Sequence, residues 1–450
     1  MKPVSGVRGC GVFALFLATA ASAQDQEKYE GSCSATACHG AYKSAGIVHA
    51  PVEADTCDAC HQAVEGGKHK FRLAASDAKL CTECHDAFEG KTIHQPVGQG
   101  PCTACHDPHA SKTPRLLKAD SLKALCLDCH DDVLPDVASI HGPAAAGECT
   151  ACHNPHASPH PKLLTAAGPA LCYECHDDVK EKVSDRKHVH APVKDDCTSC
   201  HNPHASPHKW MLTAPPPALC LDCHDDVAKL AEDATVKHSP ITKDAACMTC
   251  HDVHGSNHAG MLLKPAGEIC LSCHNQALTG ARGKLLNVAE HLKTNDNPHG
   301  PVRDGECQAC HAPHGGDNAA LLAKAYPAKF YSPYGEDRYA LCFECHEAAA
   351  FAEVTTDDAT EFRNGRQNLH YLHVNKADKG RTCRACHDPH AAKNAKYIAD
   401  RVPFGDWNLP VNFKQTETGG SCGPGCHRPY RYDRETPVEN IPPLATAQEK

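Results

Sequence analysis

The sequence is poor in the side chains that usually build a protein core. Aromatic residues make up 5% of the 450 residues, with 2 Trp and 4 Met, and much of the 41% hydrophobic content is alanine and cysteine. Two to four domains with ordinary apolar cores, which the length suggests, are therefore not expected. The net charge of −10 comes without a basic patch, which disfavours a nucleic-acid partner.

Long apolar runs are missing beyond the N-terminal segment, so no other stretch approaches the ~20 residues of a membrane-spanning helix. Residues 1–23 combine Lys2 and Arg8 with an apolar run and the cleavage site Ala21-Ser22-Ala23, which predicts a secretory signal peptide. Cys10 precedes the apolar run and would be removed with it. We therefore expect an exported protein that is periplasmic, outer-membrane-associated or extracellular in a Gram-negative bacterium.

Cysteine and histidine are abundant instead, with 31 and 35 residues. Apart from Cys10, the cysteines form fifteen pairs, and a histidine follows each pair at once. Two terminal motifs have longer spacers, Cys33-Cys38-His39 and Cys422-Cys426-His427. The other thirteen read C-x-x-C-H, the attachment signature of c-type haem: Cys57-Cys60-His61, Cys81-Cys84-His85, Cys102-Cys105-His106, Cys126-Cys129-His130, Cys149-Cys152-His153, Cys172-Cys175-His176, Cys197-Cys200-His201, Cys220-Cys223-His224, Cys247-Cys250-His251, Cys270-Cys273-His274, Cys307-Cys310-His311, Cys342-Cys345-His346 and Cys383-Cys386-His387.

Haem chemistry explains this spacing. Two cysteines on a tight turn can form thioether bonds to neighbouring vinyl groups, and the histidine that follows then lies beneath the iron as its proximal ligand. Zinc sites, iron–sulfur clusters and disulfides are the alternatives, but none of them requires a histidine after every second cysteine. We therefore predict fifteen covalently bound haem c groups and no catalytic residue.

The second axial ligand is predicted to be histidine. Only Met211, Met248 and Met261 would remain after cleavage, too few for fifteen irons, whereas twenty histidines are left once the proximal ones are set aside. Candidates recur at two positions, and two weaker candidates come from the spacers. About eight residues before a first motif stand His49, His94, His141, His190, His238, His299 and His373; three residues after a proximal histidine stand His109, His156, His204, His254, His314 and His390; the spacers add His69 and His291.

A histidine three residues after a proximal ligand cannot reach the opposite face of the same haem. It should therefore bind a neighbouring haem and bring the two close together. His188 and His370 are possible substitutes for His190 and His373. His160, His208 and His258 are interpreted mainly as surface residues or as residues that orient a ligand, with ligation or metal binding as the alternative. The pairs Asp131-Asp132, Asp177-Asp178 and Asp225-Asp226 are interpreted mainly as solvated helix surface that could orient a proximal imidazole.

The motifs are arranged in a tandem array, and each repeat has two of them. We expect a three-haem region over 24–93, two-haem repeats over 94–280 and a four-haem region over 281–450. The predicted fold is a mostly irregular multihaem cytochrome with little β structure, built as tandem two-haem repeats around a haem chain. Short helices are predicted over 125–133, 171–179 and 219–230. Aromatic residues return in the C-terminal region, which predicts more conventional packing there.

The double unit, a C-x-x-C-H motif followed by x-Pro-His, a Leu-Leu pair and Leu-C-x-x-C-H, resembles the doubled-CxxCH multihaem c-type cytochromes. That family includes periplasmic decahaem subunits of porin–cytochrome conduits and extracellular cytochrome filaments. The resemblance spans about residues 45–395, and the stretched motif ending at His39 is similar to one in class III cytochromes. Fifteen sites and a longer C-terminus distinguish this chain from the decahaem subunits.

The resemblance implies bis-histidine haems that carry electrons across the periplasm and outer membrane. Its implied partners are other redox proteins, an outer-membrane β-barrel porin or copies of the chain, and an extracellular metal oxide or cytochrome. A multihaem reductase of the nitrite, sulfite or hydroxylamine type is the rival from another class. No C-x-x-C-K motif occurs, so an open iron would be sought at His39 or His427. A soluble electron store is the third hypothesis.

Overall fold

The computed structural model describes residues 33, 35, 39–65, 69–131, 133–242, 246–280 and 283–440. The predicted signal peptide, with Cys10, and the attachment cysteine Cys38 lie outside the described residues. The chain divides into two compact units, Met1–Cys129 and His130–Lys450. Within the described ranges, no helix has the length and apolar character needed to cross a membrane.

The helices are short. Most are one or two turns long, and five of those described have proline as their second residue, where its fixed φ suits the first helical turn. The α-helices are α1 Ala50–Glu53, α2 Asp77–Thr82, α3 Gln95–Gln99, α4 Leu122–Leu127, α5 Gly142–Ala146, α6 Gly168–Cys172, α7 Asp177–Asp185, α8 Ala218–Leu221, α9 Asp225–Asp233, α10 Ala266–Cys273, α11 Val288–Thr294, α12 Gly300–Arg303, α13 Ala349–Ala352 and α14 Leu369–Val374.

Strands are equally short, and those paired within a unit are antiparallel. They are β1 Ile47–Val48, β2 His61–Ala63, β3 Phe71–Leu73, β4 Thr92–Ile93, β5 Ala110–Ser111, β6 Ser139–Ile140, β7 Ala157–Ser158, β8 His188–Val189, β9 Ala205–Ser206, β10 Gly255–Ser256, β11 Thr279–Gly280, β12 Gly283–Lys284, β13 Asn297–Pro298, β14 Arg363–Asn364, β15 Gln367–Asn368, β16 Ala391–Ala392, β17 Arg401–Phe404, β18 Trp407–Pro410, β19 Lys414–Gln415, β20 Gly419–Cys422 and β21 Tyr430–Asp433. Together with the irregular segments between them, these elements confirm the predicted fold class.

Two of the predicted helices, over 171–179 and 219–230, are interrupted at the second motif of their repeat. α6 ends at Cys172 and α7 begins at Asp177, with His176 between them in a non-helical conformation (φ −105°, ψ 61°). The same break separates α8 from α9 at His224. The reason is that the attachment turn occupies the residues a continuous helix would need.

Two-residue ladders connect successive repeats. β1 pairs with β5, β6 with β9, β8 with β10 and β13 with β16. In each pair, the first strand precedes an upstream distal candidate and the second follows a histidine of the next repeat. The buried residues in these ladders are small, such as Ala205 and Ala391, with exposed fractions of 4% and 1%.

A conventional core lies in the C-terminal region. Ala399, Val402 and Val411 are buried together, and Phe330, Ile398, Leu409 and Phe413 pack against them. The hairpin β17–β18 and the three-stranded sheet β19–β20–β21 frame this core. Aromatic side chains, which are scarce in the repeats, thus contribute to the packing here.

Candidate haem-binding sites

Each first motif forms one tight turn. In the motif ending at His106, residues Cys102–Ala104 form a 3-10 helix, and the backbone N–H of His106 donates to the Cys102 carbonyl at 3.1 Å. The equivalent bond recurs at His153, His201 and His251, each at 3.0 Å. None of the described cysteines forms a disulfide, so their thiols can form thioether bonds.

The proximal histidines face a second histidine in nearly parallel pairs. In the first unit, His49 lies 6.0 Å from His85 and His61 lies 6.0 Å from His109, measured between ring centres. In the second unit the pairs are His141–His176 (6.1 Å), His153–His204 (5.9 Å), His190–His224 (6.0 Å), His201–His254 (6.2 Å), His238–His274 (6.4 Å), His251–His314 (6.1 Å), His299–His346 (6.1 Å), His311–His390 (6.2 Å) and His370–His387 (6.4 Å).

This spacing fits one iron between the two rings. Imidazoles on opposite sides of a metal, each with a metal–nitrogen distance of about 2 Å, have ring centres about 6 Å apart. The described residues contain no group of three or more His, Cys, Asp or Glu side chains arranged around a metal. A facing pair is instead the set of axial ligands that haem iron takes from a protein.

The pairs follow a fixed register along the sequence. A histidine upstream of a first motif faces the proximal histidine of the second motif in its own repeat, as His141 faces His176. A histidine three residues after a proximal ligand faces the first motif of the preceding repeat, as His254 faces His201. The structure therefore places one of the two distal candidates in the repeat that follows its haem.

One loop holds both distal candidates of the preceding repeat. In the loop after His201, the Asn202 side chain accepts the His204 backbone N–H at 3.0 Å, which fixes His204 opposite His153. The carbonyl of Pro203 lies 3.0 Å from Nδ1 of His141, and His141 donates its backbone N–H to His204 at 2.9 Å. The Asn-Pro-His sequence thus positions ligands for two neighbouring sites.

In six of the first motifs, a backbone carbonyl nine residues later orients the proximal histidine. Nδ1 of His153 lies 2.9 Å from the Lys162 oxygen, and Nδ1 of His201 lies 2.8 Å from the Trp210 oxygen. A carbonyl can only accept, so Nδ1 carries the hydrogen and Nε2 is left for a metal. Lys162 and Trp210 adopt left-handed backbone conformations, which cost a non-glycine residue about 1–2 kcal/mol each.

The facing rings are held in the neutral form that binds metal. Desolvation lowers the pKa of His204 and His254, and repulsion from the facing imidazole lowers each pKa further. Desolvation lowers the pKa of His390 to about 4, although the Asp388 carboxylate opposes this shift. A neutral imidazole has a lone pair on Nε2, as ligation requires.

The last two motifs take their candidate ligands from helix α14. His370 faces His387, and its Nδ1 shares a 2.9 Å hydrogen bond with the Thr360 hydroxyl. His373, one turn later, interacts electrostatically with His427, and its Nδ1 donates to the Leu369 carbonyl at 2.7 Å. Desolvation lowers the pKa of His370 to about 3 and that of His373 to about 4.

His370 was considered only as a substitute for His373 in the sequence interpretation, yet it is the residue that faces His387. The spacing of the two histidines, three apart in one helix, was the available signal, because residues i and i+3 lie on neighbouring positions of a helix surface. A Phe362 ring between His373 and Tyr432, with ring centres 5.7 and 5.0 Å away, links α14 to β21 beside the last motif.

Two predicted distal ligands are not brought to a proximal histidine in the described part of the chain. His69 is exposed in a turn with φ 56°. His291 instead has Nε2 3.0 Å from the Ala391 carbonyl and 3.1 Å from the Asp388 carboxylate. His94, His106, His130 and His156 all have interaction partners, and their axial pairing stays a prediction.

The remaining candidates lie at the surface or in loops. His188 is exposed on β8, whereas His190 faces His224. His160, His208 and His258 are half-buried, each with its backbone N–H bonded to a serine hydroxyl two residues earlier. The described acidic pairs, Asp177-Asp178 and Asp225-Asp226, are exposed in the first turns of α7 and α9, where they suit the helix dipole.

Attachment turns followed by facing histidines define a multihaem c-type cytochrome, with haem c bound covalently. The family model of the doubled CXXCH motif matches residues 49–90, 94–134, 141–181, 190–229, 238–279 and 299–351. These matches cover more than half of the chain, which belongs to the doubled CXXCH family. No curated protein matches the chain.

Proposed function

We propose that the protein is a fifteen-haem electron-transfer conduit that links the periplasm or outer membrane with extracellular acceptors or donors. Membership of the doubled CXXCH family supports haem-based electron transfer. The fifteen sites rest on the thirteen regular and two stretched motifs of the sequence. The observation that carries the conduit is the contact between attachment cysteines of consecutive motifs.

Those contacts alternate along the chain. Burial and the neighbouring Cys102 thiol raise the pKa of Cys81 to about 11, so the second motif of one repeat adjoins the first motif of the next. In the second unit the thiols of consecutive motifs are close enough to interact in the same way at Cys172 and Cys197, Cys220 and Cys247, Cys270 and Cys307, and Cys342 and Cys383. At each of these positions, the second motif of a repeat therefore lies next to the first motif of the following repeat.

Within a repeat, the other cysteines supply the second kind of contact. Cys105 interacts with Cys129, Cys200 with Cys223 and Cys250 with Cys273. Because each thiol anchors one edge of a macrocycle, close thiols support close macrocycle edges. Contacts of the two kinds follow one another along the sequence within each unit, as a conduit requires.

The histidine pairs support electron transfer in preference to substrate reduction. Haem supplies reversible one-electron chemistry when it is bound. The facing imidazoles would occupy both axial positions at each described pair, which leaves no position there for nitrite or sulfite. Two histidine ligands would also hold the iron in the same way in both oxidation states, so little structural rearrangement would accompany electron transfer.

The first experiment is a haem count combined with EPR spectroscopy of the oxidised protein. We expect fifteen haems per polypeptide by haemochrome absorbance and intact mass, and low-spin signals throughout. A reproducible high-spin fraction near one-fifteenth would point to one open iron and to the reductase hypothesis. A count below fifteen would reject the stretched motifs as attachment sites if the missing haems map to Cys33 or Cys422 by peptide mass.

A second experiment separates a conduit from a soluble store. As a conduit, the exported protein would bind an outer-membrane β-barrel or copies of itself. Affinity purification of the native protein after mild membrane solubilisation should recover one of these partners in stoichiometric amount. Recovery of a monomer alone, in the soluble periplasmic fraction, would contradict the conduit.

A further inference from the structure

Six left-handed turns occur at one position of the repeat, and each follows a first motif. Each turn contains two consecutive residues with positive φ, which is 65° at Gly260 and between 55° and 63° at the others. The pairs are Arg115-Leu116, Lys162-Leu163, Trp210-Met211, Gly260-Met261, Ala320-Leu321 and Lys396-Tyr397. Only one of these twelve residues is glycine, so the turns are not explained by glycine's conformational freedom.

The first carbonyl of each turn lies beside a proximal imidazole. Nδ1 is 2.8 Å from the carbonyl oxygen for His106, 2.9 Å for His153, 2.8 Å for His201, 2.7 Å for His251, 2.9 Å for His311 and 2.9 Å for His387. The distance varies by 0.2 Å across the six sites, although the side chain at the first turn position ranges from none in Gly260 to the indole of Trp210. The backbone geometry is therefore the shared property.

Two further hydrogen bonds hold each turn against its attachment loop. At the His251 site, Asp252 donates its backbone N–H to the Met261 carbonyl at 2.8 Å, and Leu263 donates to Cys250 at 2.9 Å. The corresponding bonds recur at the His153 site, from Asn154 to Leu163 and from Thr165 to Cys152, at 2.7 and 2.9 Å. This bracing explains how unfavourable backbone conformations persist at six sites.

The proximal histidines of second motifs differ. Among the described residues, no backbone carbonyl is bonded to the imidazole of His85, His176, His224, His274 or His346. At four of those sites the facing histidine makes a carbonyl bond, as His49 with Pro108 at 2.8 Å and His238 with Pro313 at 2.9 Å show. The left-handed turn is therefore specific to first motifs.

We propose that the left-handed turn is a redox-tuning element that lowers the reduction potential of the haem at each of the six first motifs that it follows. Donation of the Nδ1 hydrogen to a carbonyl makes an imidazole a stronger donor through Nε2, which favours the oxidised iron. The turn residues act through the proximal histidine and are positioning residues. This inference rests on haem loading as proposed above.

Gly260 offers a matched pair of variants. A Cβ atom built there meets nothing within 4 Å, so substitutions at this position change the backbone preference without a steric clash. Gly260→Val places a β-branched residue where φ is positive, which valine strongly disfavours, whereas Gly260→Asn keeps a residue that tolerates this region. Both variants leave every cysteine and histidine in place.

The readout is a spectroelectrochemical titration of the full holoprotein. In Gly260→Val, about one-fifteenth of the absorbance change should move to higher potential, with haem count and low-spin EPR unchanged. Gly260→Asn should superimpose on the parent. Failure of the proposed function would be visible separately, as an incomplete haem count or a high-spin signal in the parent protein.

Other outcomes decide against the proposal. A Gly260→Val titration identical to that of the parent, or shifted to lower potential, would overturn it. Loss of one haem in Gly260→Val alone would assign the turn to haem attachment and would overturn the tuning role. The pair Ala320→Val and Ala320→Gly repeats the test at His311, where the same divergence of the two variants is expected.

Discussion

The repeats from His141 to Leu322 and the C-terminal region from Tyr326 to Asp433 hold similar histidine pairs by different means. In the repeats, one partner of each first-motif pair comes from the next repeat, as His254 does for His201. In the C-terminal region, the partner of His387 comes from the preceding helix α14. Helix α14 thus supplies at His387 the histidine that the following repeat supplies at the earlier first motifs.

The packing differs in the same way. Buried side chains in the repeats are mostly Ala and Ser in two-residue ladders, whereas the C-terminal region buries Tyr339 completely and encloses Val402 at 4% exposure. A ladder of small residues buries little apolar area, so haem must contribute most of the stability of the repeats. The C-terminal region has a side-chain core of its own.

Haem removal is expected to produce the largest difference between the repeats and the C-terminal region. When the full chain is produced without haem attachment, the repeats should lose their protection, and fragments from the C-terminal region should outlast them in limited proteolysis. Hydrogen exchange read by mass spectrometry provides the same comparison without a protease. Uniform protection along the chain, or a C-terminal region that is cut first, would show that both regions depend equally on haem.

The next prediction concerns the origin of ligands in the repeats. His254→Met should raise the reduction potential of the haem attached to Cys197 and Cys200, whose proximal ligand is His201. The reduction potential of the haem at His251 should not change. Methionine ligation raises haem potentials, and axial ligands tune them over about 0.8 V, so a shift on the order of 0.1 V is expected for one haem. Spectroelectrochemical titration measures it.

Deleting single haems identifies which one has shifted. The shifted component should vanish when Cys197 and Cys200 are changed to Ala in the His254→Met background. It should persist when Cys247 and Cys250 are changed instead. The reverse result would assign His254 to its own motif and would contradict the register of the ring pairs.

Much of the site was predictable because haem attachment imposes local sequence rules. The fifteen motifs and the two recurrent histidine positions follow from covalent spacing, and the limited reach of His204 or His254 excludes ligation of its own haem. The sequence interpretation therefore anticipated that these residues serve neighbours. It could not identify the neighbour, since the ladders that set the register, such as β6 with β9, are only two residues long.

Other features depend on contacts that composition does not reveal. His291 has the residue type and count of a ligand, but Asp388 and the Ala391 carbonyl hold its Nε2. His370 faces His387 because α14 packs beside that motif, which depends on Asn368, buried at 1% exposure, bonding to the Ala350 and Glu353 carbonyls. The left-handed turns were also invisible, because Lys162 and Trp210 carry no turn signature.

Truncation of a buried side chain should destabilise the C-terminal core, which has no counterpart in the described residues of the repeats. Val402→Ala removes two methyl groups from the cluster with Ala399 and Val411 and should destabilise this region by about 2 kcal/mol. Hydrogen exchange of residues 398–413 in the holoprotein measures the local loss. Val354→Ala, at a position 56% exposed, is the matched control and should change exchange little. Equal effects would mean that haem, and not this cluster, stabilises the region.

The smallest expected difference is spectroscopic. Ring planes in the pairs deviate by 3° for His311–His390 and 17° for His141–His176, but by 30° for His251–His314 and 31° for His370–His387. Near-parallel axial imidazoles give rhombic low-spin EPR signals, whereas perpendicular planes give a signal with one very large g value. We expect rhombic signals from both regions, with the g values of the haems at His251 and His387 slightly displaced from those of the others. The component from His387 should be lost when Cys383 and Cys386 are changed to Ala, and a dominant large-g signal would show that the planes rotate when haem binds.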